Sequence, residues 1–235
     1  MIGYSARRLL QIIPTLLVVS FILFFGMQAV PGGPLQAFAF SPRMSEAAKL
    51  AIVHRWGLDQ PLYIQYFKWL GSMLTGDWQT SFFLNRPVKD IILQKLPATL
   101  ILMTTAFILQ ELIALPAGML AALRRYSLFD QFVTFFSYVG YSMPTFWLGL
   151  MLLLIFAVQL PILPVAGIID LRVAGAPFLT ADYNTWFAAH PLTGILDVAT
   201  HVILPALTIA IVGIAGDSRF MRASMLDAIH QDYIR

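Results

Sequence analysis

A single carboxylate, Glu111, stands inside a run that is otherwise uncharged from Pro97 to Leu123. At the centre of a bilayer an ionised acid costs about 2.5–3.5 kcal/mol on insertion scales, and neighbouring Leu, Ile and Phe offset only about 0.3–0.6 kcal/mol each. Glu111 must therefore face a water-filled path, meet a partner helix or carry a proton. Two roles follow: contact with a passing solute, or a hydrogen bond that joins two helices. Ser142 and Pro144, inside a second uncharged run from Gln131 to Ile169, join it as candidate pathway residues. Catalytic chemistry finds less support. His54, His190, His201 and His230 lack metal-ligand spacing, and no glycine-rich phosphate loop ends in Lys-Ser or Lys-Thr, so the chain has no P-loop of its own. Gly216-Asp217-Ser218 looks like the start of a hydrolase block but has no matched histidine. No cofactor is expected.

The segment from Arg219 to Arg235 carries a different signal. Helical spacing puts Met221, Met225, Ala228 or Ile229 and Asp232 on neighbouring turns, which gives a mixed-polarity helix. Such a surface can dock on a soluble partner, or it can be a solvated or interfacial helix end.

The elements that must carry these residues follow from composition. Of 235 residues, 59% are hydrophobic and 11% charged, and mean hydropathy is +0.77. A soluble domain carries roughly a quarter charged residues. The apolar residues fall in four long blocks, about Leu9–Val30, Pro97–Leu123, Gln131–Leu160 and Val198–Gly216. Each reaches the ~20 residues needed to cross a hydrocarbon core. We read an all-α integral membrane protein with about four transmembrane helices. The first block is long for a signal peptide and lacks a small-x-small cleavage site, so it reads as a retained helix. Pro144 inside the overlong third block predicts a tilt or kink, and Pro116 with Gly118 and Pro205 with Gly213 put similar weak points in the second and fourth.

Orientation follows from the arginines, because short cytoplasmic loops retain an excess of them. Arg7 and Arg8 precede the first block, Arg124 and Arg125 follow the second, and Arg219, Arg222 and Arg235 follow the fourth. The connection from Pro161 to Asp197 holds only Arg172. The N-terminus is expected in the cytoplasm, and so is the end of the fourth span. The net charge of +3 is spread in small groups beside apolar blocks, which fits orientation and membrane lipid and gives no footprint for nucleic acid. With no cysteine, the chain has no disulfide and no thiolate site.

Three domains are expected: a cytoplasmic N-terminus with the first transmembrane helix over 1–30, an extracytoplasmic helical segment over 31–96, and a core transmembrane domain over 97–235. In the middle segment, Ser45 caps a short helix through Trp56 that Gly57 ends. Asp59 and Pro61 start another, carrying Tyr63, Tyr66, Phe67, Trp69 and Leu70. Its aromatic face suits a membrane interface, or it is plain packing.

A set of blocks in fixed order adds a family resemblance. They are Arg-Arg-Leu-Leu-Gln-Ile-Ile-Pro-Thr at 7–15, Val-Pro-Gly-Gly-Pro at 30–34, Gly-Leu-Asp-Gln-Pro-Leu-Tyr-Ile-Gln-Tyr at 57–66 and Gly-Asp-Trp at 76–78. Arg-Pro-Val at 86–88, Leu-Pro-Ala-Thr-Leu at 96–100, Ser-Met-Pro-Thr-Phe-Trp-Leu-Gly at 142–149 and Gln-Asp-Tyr-Ile-Arg at 231–235 complete the set. In this the chain resembles the inner-membrane permease subunits of bacterial ABC importers for dipeptides, oligopeptides, glutathione and nickel. The resemblance implies that the segment from Met225 begins a coupling helix seated in an ATPase subunit. Met225, Asp227, Ala228, Gln231, Asp232, Tyr233 and Arg235 are then the coupling residues. It also implies a second homologous permease, two ATP-binding subunits and an extracytoplasmic solute-binding protein, whose docking face the helices near Tyr63 and Trp69 help form. In the family this segment runs on into an Ala-x-x-x-Gly block and two more membrane helices, six in all. The sequence is accordingly expected to be a piece of a longer subunit that does not couple by itself.

Two other classes are compatible with parts of this reading. A secondary transporter or channel needs no ATPase and would also have kinked spans and a buried acid. A membrane-embedded hydrolase would need Ser218 as nucleophile.

Overall fold

A proline biases the residue before it toward extended backbone, and at Met143-Pro144 the helix ends on that bias. In the computed structural model Met143 has φ −80° and ψ 128°, and Pro144 opens a new helix, where its missing N–H costs nothing. The two helices meet at 98°. The bend expected at Pro144 is there, and it is larger than a kink: the helix breaks. The structure describes residues 2–31, 50, 53–54, 57–81, 84, 86–229 and 231, without the side chains of 2–6 and 9. Both ends of the expected Ser45–Trp56 helix lie outside the described residues.

The chain divides into two units, residues 1–94 and 95–235. In the first, α1 (Ile2–Ala29) continues through Pro14, and α2 (Leu62–Thr75) follows Pro61 and stops at Gly76, whose φ of 78° suits a residue without a side chain. Asp59 does not cap α2: its carboxylate lies 2.9 Å from His54 Nδ1. Tyr66 is buried between the two helices, edge-on to Phe21 and Phe24, and its hydroxyl pairs with Ser20 Oγ at 3.0 Å. Gln28 Nε2 donates to Gln65 Oε1 at 3.0 Å. Part of the aromatic set is thus packing, while Tyr63 and Phe67 stay exposed.

The second unit is organised around one helix. The long α3 (Val88–Leu123) leads in and runs unbroken through Pro97 and Pro116. Next come α4 (Leu128–Ser142) and α5 (Thr145–Leu153), the latter prolonged by π-helical turns over Leu154–Gln159. Two short helices, α6 (Leu171–Ala174) and α7 (Ala181–Ala189), precede α8 (Pro191–Ile229), which is continuous through Pro205. Starts are set locally: Ser127 Oγ accepts from Asp130 N–H, Asp170 Oδ1 from Arg172 N–H and Thr180 Oγ1 from Tyr183 N–H.

Among the described residues, α3, α8 and residues 10–29 of α1 are long and apolar enough to cross a membrane, and the bent pair α4–α5 makes a fourth if counted as one span. With 39 residues α8 is about 58 Å long, nearly twice a hydrocarbon core. Its uncharged middle is framed by Asp197 and Asp217, 20 residues or about 30 Å apart, the thickness such a core requires.

Lipid gives helices no hydrophobic reason to associate, so close approach through small side chains has to replace it. Ala206 and Ala210 of α8 and Ala106, Ala114 and Ala121 of α3 are all buried. Ala106 packs with Val202 and Ala206, and Gly118 against Ser218 and Met221, so α3 and α8 run parallel. Gly140 meets Ile211 and Ala215, and Gly149 meets Thr208, so the α4–α5 pair follows α8 in reverse order.

Candidate functional site

Glu111 has a partner helix. The neighbouring Gln110 donates from Nε2 to Asp217 Oδ2 on α8, and the same nitrogen lies 3.4 Å from Glu111 Oε1. One amide thus bridges two carboxylates. The crossing depends on Gly213, because the Gln110 amide fills the volume that a Cβ there would occupy. Asp217, which the sequence offered only as part of a hydrolase block, belongs to this helix-joining cluster. Ser218 is buried, and its Oγ pairs with Ser137 Oγ of α4 at 3.0 Å. The Ser218 hydroxyl is therefore not accessible as a nucleophile.

Ser142 and Pro144 sit elsewhere, at the α4–α5 break. They line a wide-open surface cavity of about 610 Å³ with Tyr138, Val139, Met143, Phe146 and Trp147, and Glu111 is not among its walls. Ser142 Oγ donates to the Tyr138 carbonyl at 2.8 Å, so its hydroxyl hydrogen is committed. The Arg219 guanidinium lies over the Tyr138 and Tyr141 rings, 5.2 and 5.3 Å from their centroids, and brings a cation toward the cavity's edge.

A second cavity, about 340 Å³, lies between α5, the loop after it and the first half of α8. His201 and Thr208 are among its few polar walls, with Leu153, Leu204 and Ile209 among the apolar ones. His201 Nδ1 is 2.8 Å from the Asp197 carbonyl oxygen and 3.2 Å from Asp197 Oδ1. The Asp197 carboxylate also accepts from Asp170 N–H at 2.9 and 3.2 Å. Close by, Tyr183 is buried with its hydroxyl unpaired, and burial together with the Asp197 charge pushes its pKa up.

Of the coupling residues expected from the resemblance, Met225, Asp227 and Ala228 occupy the last turns of α8. Met225 and Ala228 are half-buried and Asp227 is exposed. Gln231 lies in a turn whose N–H donates to the Ala228 carbonyl at 3.1 Å. Asp232, Tyr233 and Arg235 lie outside the described residues. One turn before Met225, Arg222 reaches across to α4, its Nε 2.6 Å from Asp130 Oδ1 and its Nη2 2.8 Å from Oδ2. Asp130 is only 4% exposed and also accepts from Tyr126 N–H at 3.0 Å.

Sequence reasoning missed this pair because it took Asp130 as the border of a span and Arg222 as an orientation charge. Ser127, three residues before Asp130, was a legible helix start that would have placed the acid on a first turn. Gln110, Ser137 and Asp197 were missed for a different reason: hydrogen bonds between distant residues leave no periodic trace.

The geometry is that of a polytopic membrane protein with polar joints between its helices, and the comparisons give it a family. The family described as "Binding-protein-dependent transport system inner membrane component" matches residues 114–235, and its N-terminal counterpart matches residues 1–103. The oligopeptide transport system permease protein AppB of Bacillus subtilis is 39% identical over 236 residues, covering 100% of this chain and 69% of that protein. The di/tripeptide permease DppB of Pseudomonas aeruginosa is 35% identical and the dipeptide permease DppB of Escherichia coli K12 is 32% identical, each covering 100% of this chain and 70% of the relative. The chain belongs to the binding-protein-dependent transport system inner membrane components: it is a multi-pass inner-membrane permease subunit of the ABC importer type.

Proposed function

We propose that the chain forms half of a translocation path for di- or oligopeptides, driven by ATP that separate subunits hydrolyse. The observation that carries the substrate class is the identity of 32–39% to relatives named as dipeptide, di/tripeptide and oligopeptide permeases. A second, homologous permease completes the path, two ATP-binding subunits drive it, and an extracytoplasmic binding protein delivers the solute. The parallel run of α3 and α8 supports placing Arg124, Arg125 and the end of α8 together on the cytoplasmic face, and Arg7 and Arg8 favour the same side for the N-terminus. Residues from Met225 to Arg235, with Asp227, Ala228, Gln231, Asp232 and Tyr233 between them, then meet the ATPase. Glu111, Ser142 and Pro144 stay candidates for the path, with Glu111 acting through the Gln110–Asp217 cluster. ATP and peptide must bind the inward- and outward-open states differently for such a cycle to do work.

The test is uptake into proteoliposomes holding the full subunit together with its partner permease and ATPase subunits. Peptide accumulation is expected only with ATP on the ATPase side and binding protein on the other. Accumulation that follows an ion gradient and ignores ATP would replace this reading with a secondary transporter.

A further inference from the structure

The geometry points to the Asp130–Arg222 pair as the joint through which the cytoplasmic end of α8 moves the broken span α4–α5, a positioning role that rests on the coupling reading above. Arg222 is three residues before Met225, so any displacement of the last turns of α8 reaches it within one helical turn. Both guanidinium contacts are short and go to different oxygens of one carboxylate, which fixes orientation as well as distance. Asp130 is itself held from three directions: by Arg222, by the Tyr126 N–H in the α3–α4 turn, and by its own N–H on Ser127 Oγ. Thr134 Oγ1 stands 3.5 Å from Oδ1.

Above the pair, Ser137–Ser218 makes a second rung between the same two helices, and Gly140 against Ala215 brings the backbones together a turn further on. On the other side, Gly118 sits against the Ser218 carbonyl oxygen and the Arg222 nitrogen, where a Cβ would be 2.6 and 3.1 Å away. The ends of α3, α4 and α8 therefore form one body. Within the α4–α5 span the direction changes at Met143-Pro144, and the Ser142–Pro144 cavity lies at that corner. A push on α8 is carried by the ion pair into α4 and spent at the corner, where the walls of the cavity shift against one another. Glu111 and Gln110 are not needed for this transmission.

The experiment uses the complete transporter in proteoliposomes and reads two quantities: peptide taken up per ATP hydrolysed, and co-purification of all subunits. Arg222→Ala and Asp130→Asn are expected to lower uptake per ATP about tenfold, within the range of coupling free energies between sites, in complexes that still assemble. Arg222→Lys keeps the charge but loses the two-point contact, and a smaller fall of about threefold is expected. The exchange Asp130→Arg with Arg222→Asp should recover much of the lost ratio. Assembled Arg222→Lys and Arg222→Ala complexes with wild-type uptake per ATP would overturn the proposal. So would an exchange variant that assembles but stays uncoupled. If Arg222→Ala fails to assemble, the lysine and exchange variants decide. The wild-type sample reports separately on the function itself: uptake there without ATP would sink the importer reading on which the joint rests, whereas wild-type ratios in the variants would sink the joint alone.

Discussion

At its first end α8 keeps its polar groups close to home: Asp197 and His201 are one turn apart, and the carboxylate reaches only the backbone N–H of Asp170. At its other end Arg222 leaves the helix and seizes a buried carboxylate on α4. The first arrangement ties α8 only to itself and to the backbone of the loop before it, because Asp197 and His201 share one helix. The second ties it to α4, because moving α8 without α4 would strand Asp130 in a place with little water. Charge at a helix end can therefore serve as an anchor for a loop or as a linkage between helices, and which one it is depends on where the partner lies.

Substitutions at the two ends should separate these roles. Arg222→Ala leaves Asp130 buried and unpaired, and breaking such a pair costs about 3–5 kcal/mol. A clear fall in the midpoint of thermal unfolding of the detergent-purified complex should record it. At the opposite end Asp197→Asn keeps a carbonyl acceptor for Asp170 N–H and loses a charge-assisted bond, worth about 1.5–3 kcal/mol. The same assay should show a smaller fall, and an Asp197→Asn effect equal to that of Arg222→Ala would erase the distinction.

Packing sharpens the contrast further. Gly118→Ala would force a methyl against the Ser218 carbonyl, and overpacking of this kind costs about 1–3 kcal/mol. Gly216→Ala, on the same stretch of α8 but with nothing within 4 Å, should gain up to about 1 kcal/mol from helix propensity. Opposite signs in the unfolding midpoint are the expected outcome.

The smallest effect is Tyr183→Phe. Removing a buried hydroxyl that has no partner should be neutral or stabilising by under about 1 kcal/mol. Its pH dependence carries more information. Burial and the Asp197 charge raise the folded-state pKa, so stability is unaffected while both states keep the phenol proton and falls as the pH climbs through the ordinary tyrosine range toward the raised value, where only the unfolded chain has lost it. An alkaline unfolding series should show that fall in the wild type and not in Tyr183→Phe.

How much of this was legible in the sequence varied with the physics involved. Length and uncharged runs gave the membrane helices, because both depend only on residues near one another. Pro61 marked the start of α2 for the same reason. The third span was misjudged in degree: a proline in a long apolar run reads as a kink, and only the extended backbone at Met143 turns it into a 98° corner. The joints were invisible. Gln110 reaching Asp217 through the space left by Gly213 needs a register between α3 and α8 that neither segment states, and Asp130–Arg222 spans 92 residues.

The ends of α3 and α8 should lie together on the side where the ATPase works. These 235 residues hold no cysteine, so labelling at a cysteine introduced at Arg124 or at Gln231 can be read against the unsubstituted subunit. With Arg124→Cys and Gln231→Cys in intact cells, a membrane-impermeant thiol reagent should label neither until the inner membrane is opened, and bound ATPase should then shield the Gln231 site. Labelling of either cysteine from outside sealed cells would contradict it.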